Sequence, residues 1–130
     1  MKLKKLSLIF IAGLMVACLS EPGNELVGKW RMYKVVQNGQ DVTPEHNPND
    51  ERYLILKSDS TFESGGRPFG KNTGKYIFNT EAKTLLLDSD AGPKDDSQWI
   101  ISIKGDTMHW RGYGSEWAEN FILIHLKENK

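Results

Sequence analysis

The sequence predicts an all-β fold, an eight-stranded antiparallel up-and-down barrel preceded by a signal peptide. Short β-rich runs begin near positions 27, 53, 61, 74, 84, 98, 107 and 119, and turn residues separate each run from the next. No amphipathic helix of useful length is indicated between them. Closure of the sheet also removes the exposed edges that such strands would otherwise present. A two-sheet sandwich is the alternative fold.

The barrel is predicted to occupy residues 26–130 as one domain, because 130 residues with a hydrophobic fraction of 38% supply one modest core. The chain carries 17 basic and 17 acidic side chains. Three of the basic ones, Lys2, Lys4 and Lys5, lie in residues 1–17, so the remainder has 14 against 17. Since no basic stripe remains to bind phosphates, nucleic acid is not an expected partner.

Residues 1–18 have the layout of a secretory signal, with three lysines, an uncharged apolar run and small residues before the only cysteine. The uncharged run is shorter than the roughly 18 to 20 residues that a membrane-spanning helix needs. Ordinary secretion, with cleavage near Cys18 or Ser20, is one outcome of such a signal.

Met15-Val16-Ala17-Cys18 resembles the lipobox of bacterial lipoproteins. The resemblance implies a lipoprotein signal peptide over residues 1–17, acyl chains such as palmitate on Cys18, and a short polar tether over residues 18–25. It places the protein in the cell envelope, anchored by lipid to the outer membrane, with the periplasmic or surface face left open. Two or three acyl chains hold a small domain on a membrane stably.

The first strand is predicted from about Val27 to Val36, with Trp30 and Met32 pointing inward by alternation. The following segment, Asp41–Glu51, has two prolines and no apolar period, so we expect a loop that lies over one barrel mouth. A loop of this length is often functional, and a plain solvated connection is the equal alternative.

The middle strands are predicted at Tyr53–Lys57, Thr61–Ser64, Gly74–Phe78 and Thr84–Asp88, each joined to the next by turn residues. The side chains expected to point inward are Leu54, Leu56, Phe62, Tyr76 and Phe78. The acidic loop Ser89–Ser97 lacks the carboxylate order of an EF-hand, so a solvated connection is expected and no metal site is predicted.

Gly105-Asp106 between Gln98–Lys104 and Thr107–Tyr113 predicts a hairpin. Its inward side chains are expected to be Trp99, Ile101, Ile103, Met108 and Trp110. The last strand, Asn120–Leu126, is apolar on both faces. It is expected to close the barrel, with its outer face either covered or in contact with another protein.

Gly28-Lys29-Trp30 resembles the Gly-x-Trp signature of lipocalins, and the later runs Asp59–Phe62, Gly74–Tyr76 and Leu85–Leu87 are similar to small bacterial lipocalin-like domain lipoproteins. In lipocalins this tryptophan packs at the closed barrel end, often against an arginine of the last strand. Lys127 is the nearest late cation here. The resemblance implies a small cavity inside the barrel.

Bulky aromatic side chains are expected to line that cavity or to fill it. Aromatic walls suit apolar or amphipathic ligands, whereas the side chains of an eight-stranded barrel also suffice to fill its interior. The candidate ligand-binding residues are Trp30, Phe62, Tyr76, Phe78, Trp99 and Trp110. On the alternative reading, an exposed contact surface for a protein partner is expected around Phe69, Tyr113 and Trp117.

Catalysis is not predicted, because no serine, histidine and carboxylate form a known nucleophile motif. The three histidines, His46, His109 and His125, are too scattered for a metal site and are expected to be ordinary surface residues. If His109 pairs opposite His125, both would lie on one outer face. No cofactor is expected.

The sequence thus favours a lipid-anchored envelope lipoprotein whose lipocalin-like domain binds a small apolar or amphipathic ligand. Its expected partners are the membrane, through Cys18, and an envelope protein. The alternative is a protein-interaction or inhibitor-type barrel with a filled interior and no ligand.

Overall fold

Short strands joined by tight turns make up most of residues 24–129, the part of the chain that this computed structural model describes. The predicted signal peptide, the predicted acylation site Cys18 and residues 18–23 of the predicted tether lie outside these residues. The strands are β1 (Gly28–Gln37), β2 (Gln40–Asp41), β3 (Tyr53–Leu56), β4 (Thr61–Gly65), β5 (Asn72–Asn79), β6 (Thr84–Ser89), β7 (Ser97–Lys104), β8 (Thr107–Tyr113) and β9 (Phe121–Lys127).

Antiparallel pairing in chain order, followed by pairing of β9 back onto β1, closes the sheet into a barrel. The closing pairs run from Trp30 opposite Lys127 to Gln37 opposite Phe121. Eight strands form the barrel wall, and the two-residue β2 pairs only with the end of β1. The predicted eight-stranded antiparallel up-and-down barrel is therefore confirmed.

A β-bulge in β1 changes which residues face inward. The pairing of β1 with β9 shifts between Met32 and Lys34, so Tyr33 is an extra residue on β1. Trp30 and Met32 are buried as the alternation predicts, but beyond the bulge the buried residue is Val35. Tyr33 is half exposed on the outside.

The two ends of the barrel differ in how the strands are joined. The end that we call the closed end carries the tight turns after β3, β5 and β7, and a 3-10 turn at Asn24–Leu26 leads into β1 there. Buried apolar side chains fill the interior at this end: Leu26, Trp30, Leu56, Leu85, Ile101 and Met108.

The opposite end, which we call the open end, carries the longer connections. The segment between β1 and β3, predicted as a loop over one barrel mouth, contains β2 and the one-turn helix α1 (Thr43–His46). Asn47 is buried and fixes this segment: its Nδ2 donates to the carbonyl of Met32 at 2.8 Å, and its Oδ1 accepts from the amides of Glu51 and Arg52 at 3.1 Å. The segment therefore has a defined position at the open end.

A second one-turn helix, α2 (Glu116–Glu119), packs on β8 at the open end. Gly112 permits this contact, because a Cβ there would lie 1.9 Å from the carbonyl oxygen of Ala118. Neither helix is long, and from residue 24 to residue 129 no helix has the length and apolar character needed to cross a bilayer.

The outer face of β9 is partly exposed: Ile122 is 39% exposed, whereas Ile124 and Leu126 are half-buried. Phe121 and Leu123 lie on the other face and pack against the core. The last strand, which is apolar on both faces, thus closes the barrel and turns one of these faces inward.

Candidate ligand-binding site

Trp30 forms the plug of the closed end. Its Nε1 donates to the carbonyl of Leu26 at 2.9 Å, and both side chains are fully buried. The Nζ of Lys127 lies 5.1 Å from the centre of the Trp30 ring and donates to the carbonyl of Glu25 at 3.2 Å. Lys127 therefore occupies the role that the lipocalin resemblance assigns to an arginine of the last strand.

Gly28 makes room for this lysine. Its φ of 142° lies in a region that favours glycine, and a Cβ at this position would be 2.8 Å from Cε of Lys127. The glycine and the tryptophan of the Gly-x-Trp motif thus act together, because the missing side chain of one lets a cation reach the ring of the other.

A cavity of about 660 Å³ opens at the opposite end of the barrel. Its wall includes the inward-facing apolar side chains of at least five strands, and its rim carries polar and aromatic side chains from the open-end connections. The wall residues include Leu54, Phe62, Leu87, Trp99 and Trp110. The rim residues include His46, Arg52, Phe69, Lys71, Lys94 and Trp117.

The six candidate ligand-binding residues separate along the barrel axis. Phe62, Trp99 and Trp110 line the cavity, whereas Trp30 lies in the closed end outside it. Tyr76 and Phe78 pack against the core but do not line the cavity either. The hydroxyl of Tyr76 donates to the carbonyl of Lys57 at 2.7 Å, and Phe78 borders a smaller pocket of about 260 Å³. Alternation identifies the inward face of a strand but not the depth of a residue in the barrel.

Aromatic rings form a continuous row from the wall to the rim. Trp99 lies 5.3 Å from Trp110 and 6.0 Å from Trp117, and Trp117 lies 6.3 Å from Phe121. His46 extends the row, with its ring 5.5 Å from Phe121. A ligand entering the cavity would pass between aromatic faces and edges for most of its path.

The three candidate partner-contact residues do not form one patch. Phe69 is 49% and Trp117 48% exposed, and both line the mouth of the cavity. Tyr113, half-buried at the end of β8, is not part of the cavity lining. Two of the three are therefore placed where they would meet either a ligand or a protein.

The expectation for His125 was wrong. Met108, not His109, pairs opposite His125, so His125 points inward while His109 is exposed on the outside. His125 is 1% exposed, and its ring lies 4.7 Å from the ring of Trp110. Burial, and secondarily the positive charge of Arg52, lowers the pKa of His125 to about 3.

Two buried nitrogens of the cavity wall have no hydrogen-bond partner in the protein, within the part of the chain described. They are Nε1 of Trp110 and Nδ1 of His125. By contrast, Nε1 of Trp99, in the same wall, donates to the hydroxyl of Ser97 at 2.7 Å. Buried polar atoms are usually paired, so these two nitrogens leave unused hydrogen-bonding capacity in an otherwise apolar part of the wall.

Arg52 is a cavity residue that the sequence reading missed. It precedes β3, and its guanidinium lies 4.6 Å from the centre of the Phe69 ring and donates to the carbonyl of His46 at 3.3 Å. Burial lowers the pKa of Arg52. The alternation that places Leu54 and Leu56 inside also places Arg52 inside, so the signal was present in the sequence.

The acidic side chains of the open end mainly hold turns. Asp96 accepts from the amide of Ser89 at 2.8 Å, and Asp90 accepts from the hydroxyl of Thr73 at 2.8 Å. Across residues 24–129, no group of three or more His, Cys, Asp and Glu side chains is placed to hold a metal ion.

Comparison with known proteins agrees with this architecture. The family model for the lipocalin-like domain matches residues 26–110, and this fold is typically one that binds rather than catalyses. A search of curated proteins gives no match. The crystal structure of a DUF4847 family protein from Bacteroides vulgatus is similar in fold, with a TM-score of 0.56 and 10% identity over 79% of this chain and 94% of that chain. From the family match and the closed barrel, the chain belongs to the lipocalin-like domain family.

Proposed function

We propose that this protein is a lipid-anchored lipoprotein of the cell envelope whose barrel binds a small apolar or amphipathic ligand. The single observation that carries the binding proposal is the cavity of about 660 Å³. Its volume falls within the range of roughly 300–1,000 Å³ typical of small-molecule sites, and its wall is mainly apolar and aromatic. The barrel interior is thus filled at one end and hollow at the other.

The site of chain entry is compatible with an anchor. Residues 24–26 meet the barrel at the closed end, where the carbonyl of Leu26 accepts from Trp30. A tether over residues 18–25 would therefore leave the cavity mouth pointing away from the lipid. Ligand exchange would then occur on the side of the barrel facing the aqueous phase.

Ligand binding is tested by filling the cavity. N-phenyl-1-naphthylamine, a neutral fluorescent probe, should bind the purified protein and gain fluorescence. Leu87→Trp adds bulk to the cavity wall and should reduce probe binding at least tenfold. Ile77→Trp is the matched control, since Ile77 is 64% exposed and lies outside the cavity. Equal binding by both variants would place the probe elsewhere and contradict the proposal.

Lipid anchoring is tested by Cys18→Ser, with Ser20→Ala as the control. The cysteine variant should move from the membrane fraction to the soluble fraction, and the control should stay with the membrane. Native mass spectrometry of the protein from its own cells reports the acyl chains directly. Retention of the Cys18→Ser protein on membranes would contradict the anchor.

A protein-interaction role is the second candidate, because Phe69 and Trp117 are each about half exposed at one mouth. This role does not need a hollow interior. Leu87→Trp should then leave capture of an envelope protein unchanged, while a Phe69→Ala and Trp117→Ala double variant should abolish it. Loss of probe binding in Leu87→Trp, with no envelope protein captured by the wild type, supports the ligand-binding role instead.

A further inference from the structure

The cavity contains a cation whose charge no carboxylate balances among residues 24–129. Three arginines lie near the open end. Arg31 pairs with Asp50 at 3.0 Å and Arg67 with Glu51 at 2.6 Å, but Arg52 makes no ion pair with any described carboxylate. Arg111, exposed on the outside of β8, also makes no ion pair with a described carboxylate, so what distinguishes Arg52 is that it lacks an acidic partner and lines the cavity.

We propose that the cavity selects an amphiphile with an oxyanion head group, which Arg52 binds at the mouth while the apolar body lies along the aromatic wall. This inference rests on the proposed ligand-binding function and specifies the chemistry of that ligand. The head group is a carboxylate or a phosphate, since the guanidinium fork matches both.

The first argument is the cost of the unbalanced charge. Arg52 is half-buried, and the loss of water around its guanidinium lowers its pKa. A charge that is removed from water without a partner destabilises the folded protein. An anionic head group would offset this cost on binding. The free energy recovered in this way would strengthen the binding of an anion.

The second argument is the orientation of the guanidinium. One face of the guanidinium lies against the ring of Phe69, and its Nη1 donates to the carbonyl of His46. An arginine side chain has five N–H donors, so most of them remain for a ligand. A fixed guanidinium with unused donors is suited to a two-oxygen acceptor rather than to a single hydroxyl.

The third argument is the charge of the rest of the mouth. Lys71 and Lys94 also line the cavity, and Asp95 is the acidic residue among the lining side chains. Lys71 has a long contact of 3.8 Å with Glu63. Cations exceed carboxylates among the side chains that line the cavity, so an incoming ligand meets more positive than negative charge there.

The deep wall sets the direction in which the ligand lies. Met32 separates Arg52 from His125 on the inner surface, since its amide donates to the carbonyl of Arg52 and it pairs opposite His125. His125 is neutral at physiological pH because its pKa is about 3. The rest of the wall is made of Trp99, Trp110 and apolar side chains. This distribution of charge favours a ligand whose charged head lies at Arg52 and whose apolar body lies against the aromatic wall.

The experiment compares four twelve-carbon probes below their micelle concentrations: dodecanoate, dodecyl phosphate, dodecanol and dodecyltrimethylammonium. Binding to the full chain is measured by calorimetry or tryptophan fluorescence. We expect one or both anions to bind about ten to a hundred times more tightly than dodecanol, as charge-assisted hydrogen bonds imply. Whichever anion binds more tightly identifies the head group as a carboxylate or a phosphate.

Arg52→Gln should remove the preference for the anions and leave dodecanol binding nearly unchanged. Arg67→Gln is the matched control, because Arg67 lies at the same end of the barrel but outside the cavity lining. Equal affinity of wild type for anions and dodecanol, or an unchanged anion preference in Arg52→Gln, would overturn the inference while leaving ligand binding intact. Failure of all four probes to bind would overturn the proposed function itself.

A second variant separates recognition from structure. Arg52→Met keeps an unbranched apolar stem, although a shorter one, and removes the unbalanced charge, so it should raise the melting temperature of the ligand-free protein. The same variant should lose the further rise that dodecanoate produces in wild type. A lower melting temperature without ligand would show that Arg52 is a structural residue and would contradict the inference.

Discussion

The two ends of the barrel differ in whether their tryptophan and cationic side chains have polar partners within the protein. At the closed end, Nε1 of Trp30 is hydrogen-bonded to Leu26, and Lys127 binds a backbone carbonyl while lying over the ring. At the open end, Nε1 of Trp110 has no partner in the described protein and Arg52 has no carboxylate. The closed end satisfies its polar groups internally and provides stability. The open end leaves polar groups unpaired, as sites that bind other molecules often do.

The largest expected effect comes from removing the plug of the closed end. Trp30→Ala should reduce the free energy of unfolding by about 3–5 kcal/mol, because it opens a cavity in a fully buried region. Urea unfolding followed by circular dichroism measures this loss. Trp30→Phe keeps a ring beneath Lys127 but leaves the Leu26 carbonyl unpaired, so it should cost about 1–3 kcal/mol.

A loss below 1 kcal/mol for Trp30→Ala would contradict the comparison between the two ends. It would mean that the closed end is not the principal source of stability. The same titration on Trp30→Phe then tells whether the ring or its hydrogen bond matters more.

The next effect is a dependence of stability on pH that originates at His125 in the cavity wall. In the unfolded chain His125 takes up a proton below its usual pKa of about 6.5, whereas burial lowers its pKa to about 3 in the folded protein. The unfolded state therefore binds more protons between these values. Folding stability should fall as pH decreases from about 6.5 towards 3, by up to about 1.4 kcal/mol per pH unit.

His125→Leu should flatten this slope between pH 6.5 and 4.5, as measured by urea unfolding at a series of pH values. His109→Leu is the matched control, because His109 lies on the neighbouring strand but is exposed. An identical slope in wild type and His125→Leu would show that His125 is not buried in its neutral form.

A smaller loss is expected where backbone and side chain meet at the closed end. Gly28→Ala should cost about 1–3 kcal/mol, because a Cβ is strained at φ 142° and must displace Cε of Lys127. Gly70→Ala, at an open-end glycine with no atom within 4 Å of the added Cβ, should be nearly neutral. Thermal unfolding of the two variants compares them, and equal melting temperatures would contradict the role assigned to Gly28.

The closed end could be predicted from the sequence because its determinants are local. Gly28 and Trp30 are two residues apart, and the alternation of β1 places the ring inside. Lys127 was named from the sequence only as the nearest late cation, and its position over the Trp30 ring comes from the structure. Turn residues between the β-rich runs gave the strand order, since each tight turn permits only an antiparallel neighbour.

The open end could not be predicted to the same extent because it depends on register. The bulge at Tyr33 has no sequence signal, and it moves the buried position from Lys34 to Val35. The last strand is apolar on both faces, so its composition does not say that His125 points inward. Arg52 was overlooked for a different reason, since a charged residue before a strand is usually taken as part of the preceding loop.

The smallest expected effect on stability is at the rim. Trp117→Ala should change the free energy of unfolding by less than about 1 kcal/mol, because the indole is 48% exposed and meets the rings of Trp99 and Phe121 edge-on. The same variant should weaken binding of N-phenyl-1-naphthylamine, since Trp117 lines the cavity mouth. Tyr33→Ala is the control, because Tyr33 is 50% exposed on the outside of the barrel and should change neither quantity. A loss of stability approaching that of Trp30→Ala would make Trp117 a core residue, and the division of the barrel into a stabilising end and a binding end would not hold.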